Sequence, residues 1–503
     1  MKRSLSIAVW LIWAAGAQAQ NALKFDPGFS SNMVLQRGEP IPVFGKADPG
    51  KRITICFAGS QKKISAGNDG KWSCFFPKQS ANPVPQAIWA TDGTDTCRIQ
   101  NILIGDVWVC TGQSNMEFPL IRESSYKKTI ERAANPFIRI KNNSFAGKYI
   151  YGIPYPDSIR QRLNRTAFYQ GQWEISDTNT VKQMSAVAWY FAETVTRQVS
   201  IPVGIINLAI GGAPIETFIS CEAFAASPQF AGKINAGWLN NPLLPEWCRE
   251  RARVNLGKDL PAGIDSIGPD HAYKPGFAFD AGIRPMLKFA IKGILWYQGE
   301  SNALELSRVE EYASLMQLLV ADYRSHWHNK KLPFYWVQLS SIDTLHYQSK
   351  YWPLFRNEQR QLLADIKYGG MAVSSDIGAR DNVHPANKSD VGKRLAFWAL
   401  HDLYHLALIP SGPLPVKAAY KKGMIVISFR YTGQQLATAD GSLLHGFSID
   451  GVQETAAFCT GKRVSIPATK KPAMVYYGWQ PFSSGNLMNT YSLPASTFAC
   501  KVK

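Results

Sequence analysis

Val107-Trp108-Val109-Cys110, followed by Thr111 and then by Gly112-Gln113-Ser114-Asn115-Met116, is an apolar run of strand length that ends in a polar, glycine-started turn. Runs without alternation belong to strands buried on both faces, as in a parallel sheet. Similar runs follow at residues 204–210, 293–297, 334–339 and 371–374, and helical patterns lie between or after them at 188–199, 307–324, 356–366 and 387–405. Strands alternating with helices predict an α/β domain, a parallel sheet covered by helices on both faces. Active sites in such sheets sit at the carboxyl ends of the strands.

On either side the pattern changes. Residues 21–103 read as short strands broken by turns such as Asp48-Pro49-Gly50 and Asn68-Asp69-Gly70, which predicts a small β-sandwich. After Pro410 strands return, at 424–429 and 473–477. About 50 residues between Phe224 and Tyr273, rich in Pro, Gly, Asn and Trp, interrupt the alternation, and their aromatics predict an ordered wall beside the site. The expected organisation is therefore an export signal at 1–19, an N-terminal β-sandwich at 20–103, a catalytic α/β domain at 104–408 with an insertion at about 224–273, and a β-rich C-terminal domain at 409–503.

Lys2 and Arg3, the apolar residues 5–15 and the small-residue site Ala17-Gln18-Ala19 predict an export signal cleaved after Ala19. The apolar stretch is shorter than the roughly 20 residues that span a bilayer. No cysteine follows to carry a lipid, so a periplasmic or released protein without a membrane span is expected. The formal charge is +18, of which Lys2 and Arg3 supply two. The remaining Lys and Arg are scattered and form no nucleic-acid module, so nucleic acid is not an expected partner, whereas an acidic sugar or an anionic surface fits the charge. Eight cysteines could pair in an oxidising compartment, in a pattern that spacing alone does not give. Cys110, at the end of its apolar run, reads as a buried thiol. With no C-x-x-C pair and no histidine cluster, no zinc or other cofactor is expected.

Ser114 falls on the strand-to-helix turn, where a hydroxyl is exposed and the backbone N–H points at whatever the hydroxyl attacks. The same position also suits a plain helix N-cap. Met116 stands where the G-x-S-x-G elbow has its second glycine. A serine nucleophile needs a base, and of eight histidines only His384 lies in a strand-end setting, Asp381-Asn382-Val383-His384-Pro385, where one short loop supplies imidazole and orienting carboxylate together. Gly211-Gly212 and Gln298-Gly299-Glu300-Ser301-Asn302 follow two further strands and offer hydrogen-bond donors to an oxyanion, or else ordinary turns. All four motifs fall where separate strands of one sheet end, and that coincidence outweighs each motif alone.

Gly112-Gln113-Ser114-Asn115-Met116, Trp296-Tyr297-Gln298-Gly299-Glu300-Ser301-Asn302 and Asp381 to Pro385 together resemble the sialate O-acetylesterases of the SGNH hydrolase superfamily. Ser31-Asn32-Met33-Val34-Leu35-Gln36-Arg37 and Gly446-Phe447-Ser448-Ile449 are similar to further segments of that family, so the resemblance spans nearly all of the chain after residue 20. It implies a flavodoxin-like three-layer fold and a secreted serine carbohydrate esterase that hydrolyses O-acetyl esters of sialic acids through an acetyl-enzyme. It makes Ser114 the nucleophile, His384 the base and Asp381 its partner, with an oxyanion hole from the N–H groups of Ser114 and Gly211 or Gly212 and the side chain of Gln298, or alternatively Asn302. Phe279-Asp280-Ala281-Gly282-Ile283 departs from the family's pattern and leaves the sugar open. Arg284 and Arg380 could pair with a substrate carboxylate or stay solvated. An esterase of another acetylated glycan such as xylan, and a non-catalytic carbohydrate-binding protein, are the competing readings.

Overall fold

The computed structural model describes residues 23–258 and 265–503; the expected export signal lies outside the described residues. The chain divides into two compact units. The first comprises residues up to Phe29 with Pro42–Phe76 and Ala87–Ile99. It is all β: Lys24–Phe25, Ile41–Lys46 and Lys71–Phe76 form one sheet, while Arg52–Phe57 pairs with Ser60–Ser65 on one side and with residues 88–91 on the other. Alternation sets its inside, because Ile53, Ile55 and Phe57 are buried while the residues between them are only partly covered.

The second unit holds a mixed sheet. Its strands are β1 (Thr96–Gly112, of which residues 100–112 belong here), β2 (Asn135–Asn142), β3 (Trp173–Ser176), β4 (Val203–Asn207), β5 (Gly293–Tyr297), β6 (Phe334–Val337) and β7 (Gly369–Ala372), in the order β3-β2-β4-β1-β5-β6-β7. All neighbours are parallel except β3, which runs antiparallel to β2 at the edge. Helices α1 (Ala186–Val199), α2 (Leu306–His326), α3 (Trp352–Asp365) and α4 (Ser389–Asp402) cover it. Side-chain alternation sorts them to faces. Trp108 packs on Phe191 of α1 and stacks on Tyr335, whose hydroxyl donates to Asp402 of α4. Trp296 and Trp336 point the other way, their indole N–H groups donating to Tyr312 of α2 and to the Gln359 carbonyl of α3. Three layers result, with fully buried tryptophans on both sides of the sheet.

Gly293–Tyr297 is the strand the sequence predicts, and the other expected strands and helices appear with ends shifted by a few residues. β2 and β3 were not foreseen, because β2 alternates Ile138 and Ile140 with Arg139 and Lys141 and presents no apolar run. Residues 414–503 are β-rich, with Leu414–Lys421, Met424–Arg430, Arg463–Pro467 and Phe458–Thr460 in one antiparallel sheet over Ile425, Ile427, Val464, Ile466 and Phe498. All eight cysteines are free thiols, and burial of Cys110 holds its thiol far above the usual range.

The order of strands positions the site. From β4 the chain crosses over β1 to lay down β5, so β1 lies where the sheet's progression reverses, the place where open α/β sheets bind ligands.

Candidate active site

Ser114 heads the helix Ser114–Glu117, which β1 feeds directly. The turn leaves no room for a side chain at Gly112: φ is +131°, and a Cβ there would come 2.2 Å from the Tyr297 carbonyl oxygen. Glycine thus lets β1 and β5 stay paired to their ends, and the Gln113 N–H donates to that same carbonyl at 2.9 Å. As the first helical residue, Ser114 has an N–H with no intrahelical carbonyl to meet.

The histidine arrives from the far edge. β7 is three places from β1, and the loop after it returns across the strand ends to put His384 Nε2 at 2.8 Å from Ser114 Oγ. Asn115 fastens the two together, its side-chain amide donating to the carbonyl of Val383 at 3.0 Å and to Glu300, while its oxygen accepts from Lys388 Nζ at 2.6 Å. The Ser124 N–H holds the same loop through the Ala386 carbonyl.

Asn115, Glu300 and Lys388 are all buried. Lys388 is fully buried between the rings of Phe118 and Tyr297, and burial lowers its pKa to about 7 against the opposing pull of Glu300 and Glu123. Glu300, also buried, is pushed up by desolvation, a push that Asn115 and the Lys388 charge resist. His384 is lowered to about 4, chiefly by burial and then by the charges of Lys388 and Arg122. At neutral pH its imidazole is uncharged and able to take a proton.

Ile210, Gly211, Gly212 and Ala213 form a turn closed by the Ala213 N–H on the Ile210 carbonyl, with Gly212 at φ +75° in the third position, as a type II turn demands. Such a turn leaves its two central N–H groups unused by its own bond. The Gly211 N–H helps to stabilise the buried carboxylate of Glu117, whose pKa burial raises and Lys148 opposes.

Not every expected residue is brought to the hydroxyl. Asp381 is exposed and forms no hydrogen bond or ion pair with His384; Asn382, instead, accepts the His384 N–H at 2.8 Å. Gln298 is wholly buried with its amide N–H groups on Asn302 Oδ1 at 2.7 Å, Gln113 Oε1 at 3.1 Å and the Ala213 carbonyl at 3.3 Å, and its oxygen accepts from Tyr312. The Asn302 amide donates to Glu216, and its oxygen also accepts the Ile215 N–H. Both side chains therefore brace the turns beneath the site, and the Gln298 amide hydrogens are taken up by these partners. Arg284 meets Asp280 and Glu222 at 2.7 Å, and Arg380 meets Asp343 at 3.5 Å while covering the Phe482 ring, so neither is left as an unpaired cation for a substrate carboxylate.

Sequence reasoning passed over Asn115, Glu300 and Lys388. Asn115 and Glu300 lay inside quoted motifs, and Lys388 lies four residues past His384, but nothing in a linear pattern pairs positions 115, 300 and 388. The wall was foreseen only in outline: helix Glu246–Leu256 of the insertion sets Trp247 beside Gly212, and Tyr273 donates to the Gly211 carbonyl at 2.8 Å.

Residues 280–401 match the family described as carbohydrate esterase, sialic acid-specific acetylesterase. Human sialate O-acetylesterase is 26% identical over 465 residues, covering 84% of this chain and 80% of the human protein. The mouse sialate O-acetylesterase is 25% identical, over 82% of this chain and 79% of its own length. Among solved structures, a carbohydrate acetylesterase from Xanthomonas citri superposes with a TM-score of 0.76 at 26% identity, over 94% of this chain and 98% of that one.

Proposed function

We propose that the chain, which is similar over most of its length to sialate O-acetylesterases and to a carbohydrate acetylesterase, is an exported member of the sialic acid-specific acetylesterases that removes O-acetyl groups from sialic acids through an acetyl-enzyme on Ser114. The contact of 2.8 Å between His384 Nε2 and Ser114 Oγ carries this reading. Residues 104–408 would form the hydrolase module, 20–103 and 409–503 its β-rich flanks, and export would follow from the signal at 1–19.

In this mechanism His384 takes the Ser114 proton as Oγ attacks the acetyl carbonyl carbon. The C=O pair of electrons moves onto oxygen, and the N–H groups of Ser114 and Gly212 hold that oxyanion, with Gly211 bound instead towards Glu117. Collapse breaks the bond to the sugar oxygen, which leaves with the proton from His384. Water, deprotonated by the same imidazole, then releases acetate and restores Ser114. Asp381, not bonded to His384 in the free protein, is the carboxylate that meets Nδ1 as the imidazolium forms, a bond made only once substrate is bound.

Acetate release from O-acetylated sialic acid, set beside acetylated xylan, tests the substrate. Greater turnover of xylan would move the enzyme to another glycan. Labelling by a phosphonate serine probe tests the chemistry: wild type without label would leave a carbohydrate-binding protein.

A further inference from the structure

Helix Glu246–Leu256 carries a cation that the catalytic network does not use. Arg251 is partly buried, and its guanidinium lies 5.5 Å from the ring centroid of Tyr151 and 5.5 Å from that of Trp247. No carboxylate pairs with it among the described residues. The groups that feel its charge are Tyr155, His271, Tyr273 and Cys248, and none of these is an anion. Cations around it are held by hydrogen bonds: Lys233 meets Glu216 and Glu311, Lys274 meets Asp265 and Asp270, Arg308 meets Glu311, and Arg249 and Arg253 of the same helix donate to the carbonyls of Leu244 and Leu239.

The two rings that hold Arg251 border the oxyanion turn. A Cβ on Gly212 would come 2.9 Å from Trp247 Cη2, and one on Gly211 would come 2.3 Å from the Tyr151 hydroxyl and 2.9 Å from Glu117, three residues after Ser114. Trp247 is tied by its N–H to the Ser301 carbonyl. A guanidinium stacked on ring faces keeps its N–H edge free, and that edge matches a carboxylate with two parallel hydrogen bonds. Tyr151 is 42% exposed, so the place is open to a ligand.

We propose that Arg251, held between Tyr151 and Trp247 beside the Gly211-Gly212 turn, is the residue that recognises the carboxylate of the sugar acid; this rests on the sialic acid reading above. It replaces Arg284 and Arg380 in that role, both of which already meet carboxylates. Arg122, over the Phe118 ring on the His384 side, is the competing cation.

The test uses full-length enzyme hydrolysing p-nitrophenyl acetate, with free sialic acid and its methyl ester as competing inhibitors. In wild type the acid should inhibit with a Ki at least tenfold below that of the ester. Arg251→Gln should shrink this gap to within twofold, and Arg251→Lys, a point charge without the fork, should leave it intermediate. No gap in wild type overturns the inference, as does a gap that survives Arg251→Gln or collapses only in Arg122→Gln. Should the glutamine variant be inactive, Arg251→Lys decides, since an undiminished gap there also overturns the assignment. Acetate release from O-acetylated sialic acid by wild type reports separately: an enzyme that releases none, yet binds the acid through Arg251, sinks the earlier reading and keeps this one.

Discussion

The floor of the site and its wall are built by opposite rules. Beneath Ser114, Gln113, Gln298, Asn302, Asn115, Glu300 and Lys388 are buried and joined by hydrogen bonds, so the turn, the strand ends and the histidine loop are fixed by partners that water cannot replace. The wall of Tyr151, Trp247 and Arg251 is partly exposed and built largely by stacking, with the Trp247 N–H tied to the Ser301 carbonyl, and its cation has no carboxylate partner among the described residues. Chemistry needs the first kind of rigidity and recognition needs the second kind of vacancy, so substitutions in the floor should act on kcat and those in the wall on KM.

The sharpest way to break this division is at its centre. Ser114→Ala should lower kcat for a simple acetyl ester by about 10⁶-fold, with the far-ultraviolet circular dichroism and melting temperature of the wild type. Retained turnover in a folded variant would remove the nucleophile from the floor. Asp381→Asn comes next. Although exposed and unattached here, it should cost about 10²- to 10⁴-fold in kcat if its carboxylate closes on Nδ1 in the substrate complex. A loss under threefold in steady-state assays would leave the Asn115 to Val383 hydrogen bond as the device that orients the imidazole.

The same division explains what could be read from the chain. Residues 107–110 and 293–297 showed as strands because burial on both faces demands unbroken apolar runs, and Ser114 and His384 showed because each follows such a strand. β2 stayed hidden since Arg139, buried at an interior strand, breaks its apolar pattern. Gln298 and Asn302 stand at the end of β5 as their motif suggests, but a sequence does not say which way an amide points, and here Gln298 donates to Asn302 and Asn302 to Glu216. Arg251 could not be singled out among 55 Lys and Arg, because what distinguishes it is its place in space, stacked on both Tyr151 and Trp247 beside the Gly211-Gly212 turn.

Asn115→Ala sharpens the comparison from within the floor. It removes the donor to Val383 and leaves Glu300 and Lys388 without their shared amide, at about 1–3 kcal/mol for each buried group stranded. The histidine loop then loses its nearest tie to the serine turn, and misplacement on the order of 1 Å costs about 10²-fold in kcat. KM for sugar substrates should stay within a few fold, because the wall is untouched. A change confined to KM, measured with O-acetylated sialic acid, would mean that Asn115 serves recognition and that floor and wall are not separate.

The smallest effect expected is a shift in pH dependence. The proposed mechanism uses His384 in its neutral form, so kcat/KM should fall as pH drops through its pKa, and burial with the charges of Lys388 and Arg122 places that limb near pH 4 instead of 6.5. Removing a cation makes the imidazolium less unfavourable and raises this pKa, so Lys388→Met should move the acid limb to higher pH. Because the substitution also strands Glu300, whose pKa is already raised, the paired variant Lys388→Met with Glu300→Gln keeps the Asn115 contact without a buried charge and should show the same upward displacement. Arg122 remains, and burial, the largest cause, is unchanged, so the limb should stop short of the ordinary imidazole value. A limb that stays near pH 4 in both variants would show that burial alone sets the base, and the floor would then act by geometry without a contribution from the charge of Lys388.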